Sequence, residues 1–144
     1  MKYSNAKPRG VAVAQASAAP RASPAHSRCA LCVDSDPVSA RLCRETLEGM
    51  GFVIERVDSG VAAVVAVRGR VPDLIVMDFQ LRDATAGETI GWLRSNQALK
   101  SVPIVVLGVS DGSKLPAKNT HAMAGIGKPV SSAAIERAVR SLCG

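Results

Sequence analysis

The sequence predicts an open α/β domain built on a parallel sheet, and three observations carry that prediction. Asp73-Leu74-Ile75-Val76-Met77-Asp78 places a carboxylate directly after four apolar residues, the pattern of a buried parallel strand at its C-terminal tip. Val33-Asp34-Ser35-Asp36-Pro37 follows an earlier apolar run, and Gly127-Lys128-Pro129 follows a later one. Strand signals alternate with helix signals between them. In open α/β sheets, ligands bind outside the carboxyl ends of the strands. Three such tips would bring carboxylates and one lysine together, a group suited to a divalent cation and a phosphoryl group. The plainer alternative is that polar residues simply mark where strands exit to solvent. It requires three independent strand ends to mimic one site.

Each element follows in order. Cys29–Val33 reads as the first strand. Asp36 is placed to cap a helix with Pro37 at its first position. Val38, Leu42, Leu47 and Met50 recur near the helical period, and Gly49 and Gly51 end it. Val53–Val57 is the second strand. Ser59 caps the next helix, which runs to about Arg68. Its Val-Ala-Ala-Val-Val-Ala-Val run has no clear period and fits a strand equally well. Topology decides for a helix, because parallel neighbours need a crossover of about a dozen residues. Leu74–Met77 is the third strand, and a helix from about Gly87 to Asn96 buries Ile90 and Leu93. Pro103–Leu107 is the fourth strand, and a short fifth lies near Met123–Gly127. Ser131–Leu142 is the last helix, with Ile135, Val139 and Leu142 on one face. Gly108–His121 is the exception. Gly112, Pro116 and Asn119 interrupt it, so only a weak or irregular fourth helix is expected there.

Composition bounds the rest. The 144 residues amount to one domain, and hydrophobic residues make up 47%. With few aromatics, the core must come from Val, Leu, Ile and Ala. No apolar run approaches the roughly 18 residues of a membrane span, so no membrane partner is expected. The net charge of +6 is uneven. Lys2, Lys7, Arg9, Arg21 and Arg28 lie in the first 28 residues with no acid, whereas the remainder is nearly balanced. Nucleic-acid binding by the folded part is therefore not expected. Residues 1–27, rich in Ala, Ser and Pro, are expected to be a disordered basic tail ahead of a domain at 28–144. A targeting peptide or an arm for an acidic partner is the functional alternative. Val11–Ala19 is too short and too weakly apolar for a convincing signal core.

Cys29-Ala-Leu-Cys32 has the spacing of a redox or zinc half-site. Residues three apart on a strand point to opposite faces. No second Cys/His pair lies at zinc spacing, and His26 and His121 are scattered. Buried reduced thiols are the expectation, and they suit a reducing cytoplasm.

Residues 28–144 resemble the receiver domain of bacterial two-component response regulators, of the chemotaxis type with a flavodoxin-like fold. The resemblance rests on Asp34-Ser35-Asp36 after strand one, Pro72-Asp73-Leu74-Ile75-Val76-Met77-Asp78 at strand three, and Lys128-Pro129 after strand five. It implies a doubly wound five-stranded parallel sheet in the order 2-1-3-4-5. It implies that Asp78 is the phosphoacceptor, phosphorylated by a sensor histidine kinase or phosphotransfer protein. Mg²⁺ would be held by Asp34, Asp78 and the backbone carbonyl of Gln80, with Lys128 adding positive charge and pairing with Asp78 at rest. The bond before Pro129 is typically cis in the family. Because no effector sequence follows Leu142-Cys143-Gly144, output through contact with an unidentified downstream protein is expected, with no enzymatic activity of its own.

The departures bear on function. Ser35 stands where the family carries the second acid of a pair, the one that usually touches the metal, so weak Mg²⁺ binding is expected. The switch hydroxyl at the end of strand four aligns with Gly108. Ser110 lies two residues on, roughly 6–7 Å further along the strand; it would replace that hydroxyl as a phosphate ligand only if the backbone bends. The switch aromatic aligns with Gly125. The loop after Asp78 lacks the usual proline, and its Arg82 and Asp83 are expected to be solvated rather than gating.

Two functions compete. One is a stand-alone phosphorylatable receiver. The other is a degenerate receiver that binds a partner regardless of phosphorylation. The missing relay residues favour the second; Asp34, Asp78 and Lys128 favour the first. A flavin-binding domain would need a hydroxyl- and glycine-rich loop after strand one, where this chain is acidic. A dehalogenase-type phosphatase would need Asp at Gln80. No phosphate-binding P-loop pattern is present.

Overall fold

The computed structural model describes residues 27–109 and 123–143. The elements are β1 (Arg28–Val33), α1 (Pro37–Gly49), β2 (Phe52–Val57), α2 (Gly60–Gly69), β3 (Leu74–Asp78), α3 (Ala86–Arg94), a 3₁₀ turn (Gln97–Leu99), β4 (Ile104–Leu107), β5 (Met123–Ile126) and α4 (Ser132–Cys143). The strands form one parallel sheet in the order β2-β1-β3-β4-β5, as the resemblance implies. The expected tail, the expected irregular helix and Ser110 fall, apart from Ser27 and a few flanking residues, outside the described residues.

Alternation along the central strands divides the core between two faces. On one, Leu31, Val33, Ile75, Met77, Ile104 and Val106 meet Ala63 and Val67 of α2 and Ile90 and Leu93 of α3. On the other, Ala30, Cys32, Leu74, Val76, Val105 and Leu107 meet Cys43 and Leu47 of α1 and Ile135 and Val139 of α4. Truncating one such aliphatic side chain to Ala costs about 2–5 kcal/mol, so this two-sided core fixes where the strand tips stand. Cys29, Cys32 and Cys43 are buried and unbridged. Contact with Cys32 and burial push the Cys43 thiol up, which leaves it protonated and inert.

The ambiguous valine-rich run is a helix. Ser59 caps it by accepting from the Ala62 N–H at 3.0 Å. Ala63 and Val67 face the sheet, while Val61 and Val65 remain 57% exposed. This near-uniform apolar helix therefore owes its place to the crossover rather than to a stripe. Asp36 caps α1 through the Val38 N–H, as its position ahead of Pro37 predicts. Thr85 and Glu88 form a capping box on α3. Arg94 is 5% exposed. Its Nη1 donates to the carbonyls of Leu99, Lys100 and Val102, closing the α3–β4 connection.

Candidate functional site

The site is assembled where β1, β3, β4 and β5 end. Asp34 follows β1 and is 1% exposed. Its N–H donates to the Val57 carbonyl at 3.0 Å. Its Oδ1 accepts from the Asp36 N–H at 2.9 Å, and its Oδ2 accepts from the Ser39 hydroxyl at 2.5 Å. Arg56 of β2 donates from Nε and Nη2 to the Asp34 carbonyl at 3.2 and 2.9 Å. The carboxylate is thus held in place with lone pairs left over. Ser35 and Asp36 are exposed, and the Asp36 carboxylate is engaged as the α1 cap.

Asp78 is the last residue of β3, opposite Leu107. Burial pushes its carboxyl above the ordinary range, and the neighbouring Asp34 charge pushes the same way. Backbone N–H groups of Gln80 and Phe79, and then Lys128, pull against this and do not prevail. The expected resting ion pair with Lys128 is not formed. Among the described residues, neither partner makes a salt bridge with the other, because the lysine chain instead lies across Gly108. A Cβ built on Gly108 would stand 3.1 Å from Lys128 Cε, 4.0 Å from Nζ and 3.4 Å from Asp78 Oδ1. Lysine and carboxylate therefore flank one point. The Lys128–Pro129 peptide is cis.

Gly108 has φ +82. Its N–H and that of Val109 both donate to the Ile126 carbonyl, at 2.8 and 3.0 Å. The position aligned with a switch hydroxyl thus has a backbone conformation that L side chains rarely adopt. Gly125 lies on β5 opposite Val106 and is exposed. Gln80 is exposed and bridges to Thr85 across the loop after Asp78.

In that loop Arg82 and Asp83 are both exposed, as expected, and each also has a partner. Arg82 pairs with Asp58 at 2.6 Å, and Asp83 accepts from the Gly60 and Val61 N–H groups at 2.8 and 3.1 Å. These backbone bonds hold the Asp83 carboxyl below its usual value. Asp83 is thus a distant N-terminal cap for α2, where orphan amides and the helix dipole favour an anion. Sequence reading also missed Ser39 and Arg56. Ser39 carried a signal, because a hydroxyl in the first turn of α1 faces back toward the tip of β1. Arg56 carried none without the register that sets it opposite Cys32.

A half-buried carboxylate flanked by a second carboxylate and a lysine, at the carboxyl edge of a 2-1-3-4-5 sheet, marks a two-component signalling module. The chain belongs to the response regulator receiver domain family, whose model matches residues 30–140. It is 27% identical over 114 residues to the polar-differentiation response regulator DivK of Brucella ovis, covering 78% of this chain and 93% of that one. The fold matches the chemotaxis response regulator CheY4 of Vibrio cholerae with a TM-score of 0.74 at 20% identity, over 80% of this chain and 98% of that one. It also matches the receiver domain of a Pseudomonas aeruginosa sensor histidine kinase that has a magnesium ion coordinated in its active site cleft. That match has a TM-score of 0.71 at 21% identity, over 82% and 99% of the two chains.

Proposed function

We propose that this receiver accepts a phosphoryl group on Asp78 from a histidine kinase or phosphotransfer protein and signals by protein–protein contact. The observation that carries the reading is the flanking of Asp78 by Asp34 on one side and by the Lys128 chain on the other, at one sheet edge. An Asp78 carboxylate oxygen forms the new P–O bond as the donor's P–N bond breaks, and the imidazole leaves with the bonding electrons. Lys128 meets the anionic phosphoryl oxygens. Two carboxylates and the Gln80 backbone carbonyl fit a hard cation, since Mg²⁺ is commonly held by one or two carboxylates with water completing its shell. Mg²⁺ when bound offsets the charge between nucleophile and phosphoryl group. With Ser35 contributing no carboxylate and Asp36 engaged as a cap, the binding is weak.

The approach path supports a protein donor. A cavity of about 530 Å³ opens beside Lys128, lined by Val38, Leu42, Pro129 and Val130 with Asp36 and Ser39. Val38, at 77% exposure, gives a donor helix apolar grip next to the acceptor. The same reading takes residues 28–144 as the receiver and 1–27 as a basic tail.

A second reading, a phosphorylation-independent interaction module, draws on the φ of Gly108 and the absence of switch side chains at Gly108 and Gly125. Incubation of the protein with acetyl phosphate and Mg²⁺ tests the first reading. Intact mass should show one added phosphoryl group in the wild type and none in Asp78→Asn. A wild type that gains nothing while a control receiver is modified leaves the interaction module standing.

A further inference from the structure

A second cavity, of about 230 Å³, lies on the other side of α1 from the approach path, between that helix and the edge strand β2. Cys32, Ala40 and Ile54 give it an apolar floor, and Arg41, Arg44 and Arg56 stand around it. The sequence places these residues there for simple reasons. Ile54 and Arg56 alternate onto the face of β2 that α1 covers. Ala40, Arg41 and Arg44 recur at helical spacing on one side of α1. Arg41 and Arg44 are three apart, a spacing at which like charges oppose helix formation.

The charge is poorly compensated. Arg41 Nε pairs with Glu45 at 3.0 Å. Arg56 is held by the neutral carbonyl of Asp34. Arg44 has no carboxylate partner among the described residues. Three guanidiniums therefore share one carboxylate around a partly enclosed apolar floor. All three arginines are exposed, and all three line this one cavity. Guanidinium forks match phosphate oxygens, and their planes stack on rings. A cavity of ~150 Å³ already accepts benzene, so this one has room for a ring and a linking atom.

We propose that this cavity binds a small organic phosphate, with its apolar body on Cys32, Ala40 and Ile54 and its phosphate between Arg44 and Arg56. The site is separate from phosphoryl transfer at Asp78 and stands whether or not that reading holds. Arg56 is the residue common to both neighbourhoods, because it also steadies Asp34.

Phenyl phosphate, inorganic phosphate and phenol serve as probes. Each is titrated into the ¹⁵N-labelled full chain with divalent metal removed by chelation, so that the strand tips repel phosphate. Phenyl phosphate should saturate at about 1 mM or below. It should shift the Ile54 amide and the Nε–H signals of Arg44 and Arg56. Inorganic phosphate and phenol should each bind at least about tenfold more weakly, because each lacks one half of the ligand. Arg44→Gln, which removes no hydrogen bond or ion pair among the described residues, should keep the melting temperature and weaken phenyl phosphate by about tenfold. Equal binding of inorganic phosphate, meaning charge adhesion only, would overturn the proposal. So would shifts confined to Lys128 and Asp78, no saturation, or unchanged affinity in Arg44→Gln.

Discussion

The two halves of the strand-tip edge are built differently. At β1 and β3, carboxylates are fixed by hydrogen bonds: Asp34 takes one from Asp36 and one from Ser39, and its carbonyl takes two from Arg56. At β4 and β5, the corresponding positions are Gly108 and Gly125, with no side chain to fix. The β1–β3 half presents fixed carboxylates, and the β4–β5 half offers bare backbone where a relay would sit, with Lys128 following β5. A carboxylate site needs charges at set distances, whereas a relay needs a side chain with two places to be.

Removing a charge from the fixed half is the strongest way to break this comparison. Asp34→Asn preserves the shape of the loop and removes one of the two carboxylates. Mg²⁺ affinity should fall by at least the ~10-fold that losing even an outer-shell partner costs, and Mg²⁺-dependent phosphorylation of Asp78 should fall with it. Calorimetric titration with Mg²⁺ checks the first and a phosphorylation time course the second. Equal affinity in the variant would show that Asp34 is only a structural staple.

The bare half makes the next prediction. Gly108→Ala forces a Cβ onto a residue at φ +82, in a gap bounded by Lys128 Cε at 3.1 Å. The lysine chain can move aside, but the backbone cannot. Holding a non-glycine residue in that region costs about 1–3 kcal/mol, and denaturant unfolding should show a loss of that size. Unchanged stability would mean that the β4 tip relaxes freely, and that glycine there is a missing switch rather than a conformational requirement.

A smaller effect comes from Asp78 itself. Burial and the Asp34 charge raise its carboxyl pKa in the folded state. The folded protein then holds this proton more tightly than the unfolded chain does. Its contribution favours the fold below the unfolded value and is lost as pH rises through the raised folded value. Charged Asp78 is therefore a net cost at neutral pH, and Asp78→Asn should raise the melting temperature there. The gain should vanish in acid, once wild-type Asp78 is protonated. Scanning calorimetry at neutral and acidic pH measures both. A melting temperature lowered at neutral pH would show that Lys128 outweighs burial.

The carboxylates were legible because apolar runs that stop at an acid are a one-dimensional signal. The sheet order was legible through the resemblance, and β1, β3 and β4 through their uninterrupted apolar runs. What escaped needed three dimensions. Asp83 is exposed as expected, but it also caps α2 from 22 and 23 residues away, so no local pattern shows that second role. The resting Asp78–Lys128 pair failed because sequence places both at the edge but does not show that the lysine chain lies over Gly108. The absent hydroxyl at Gly108 was visible in the letters, whereas its positive φ was not.

The finest test restores what the fixed half lacks. Ser35 is exposed beside the buried Asp34, and Asp36 is engaged as a cap, so a carboxylate at 35 would add a third acid able to turn toward a cation. Ser35→Asp adds one charge at a partly solvated site. Two unit charges ~4 Å apart interact by about 1 kcal/mol in water and about 4 kcal/mol at the effective dielectric of a protein surface. Dehydrating Mg²⁺ and crowding a third acid against Asp34 and Asp78 offset part of that gain. A tightening of about three- to tenfold follows. Calorimetry is the suitable readout, because Trp92 lies against Gly60 at the start of α2 rather than at the strand tips. The added acid should also push the Asp78 carboxyl further up in metal-free protein. The Ser35→Asp phosphorylation rate, followed as pH falls without saturating Mg²⁺, should then drop at a higher pH than that of the wild type. Tightening without that displacement would place the new carboxylate on the cation but away from Asp78. Neither change would mean that the loop turns residue 35 to solvent or that no cation binds at these strand tips.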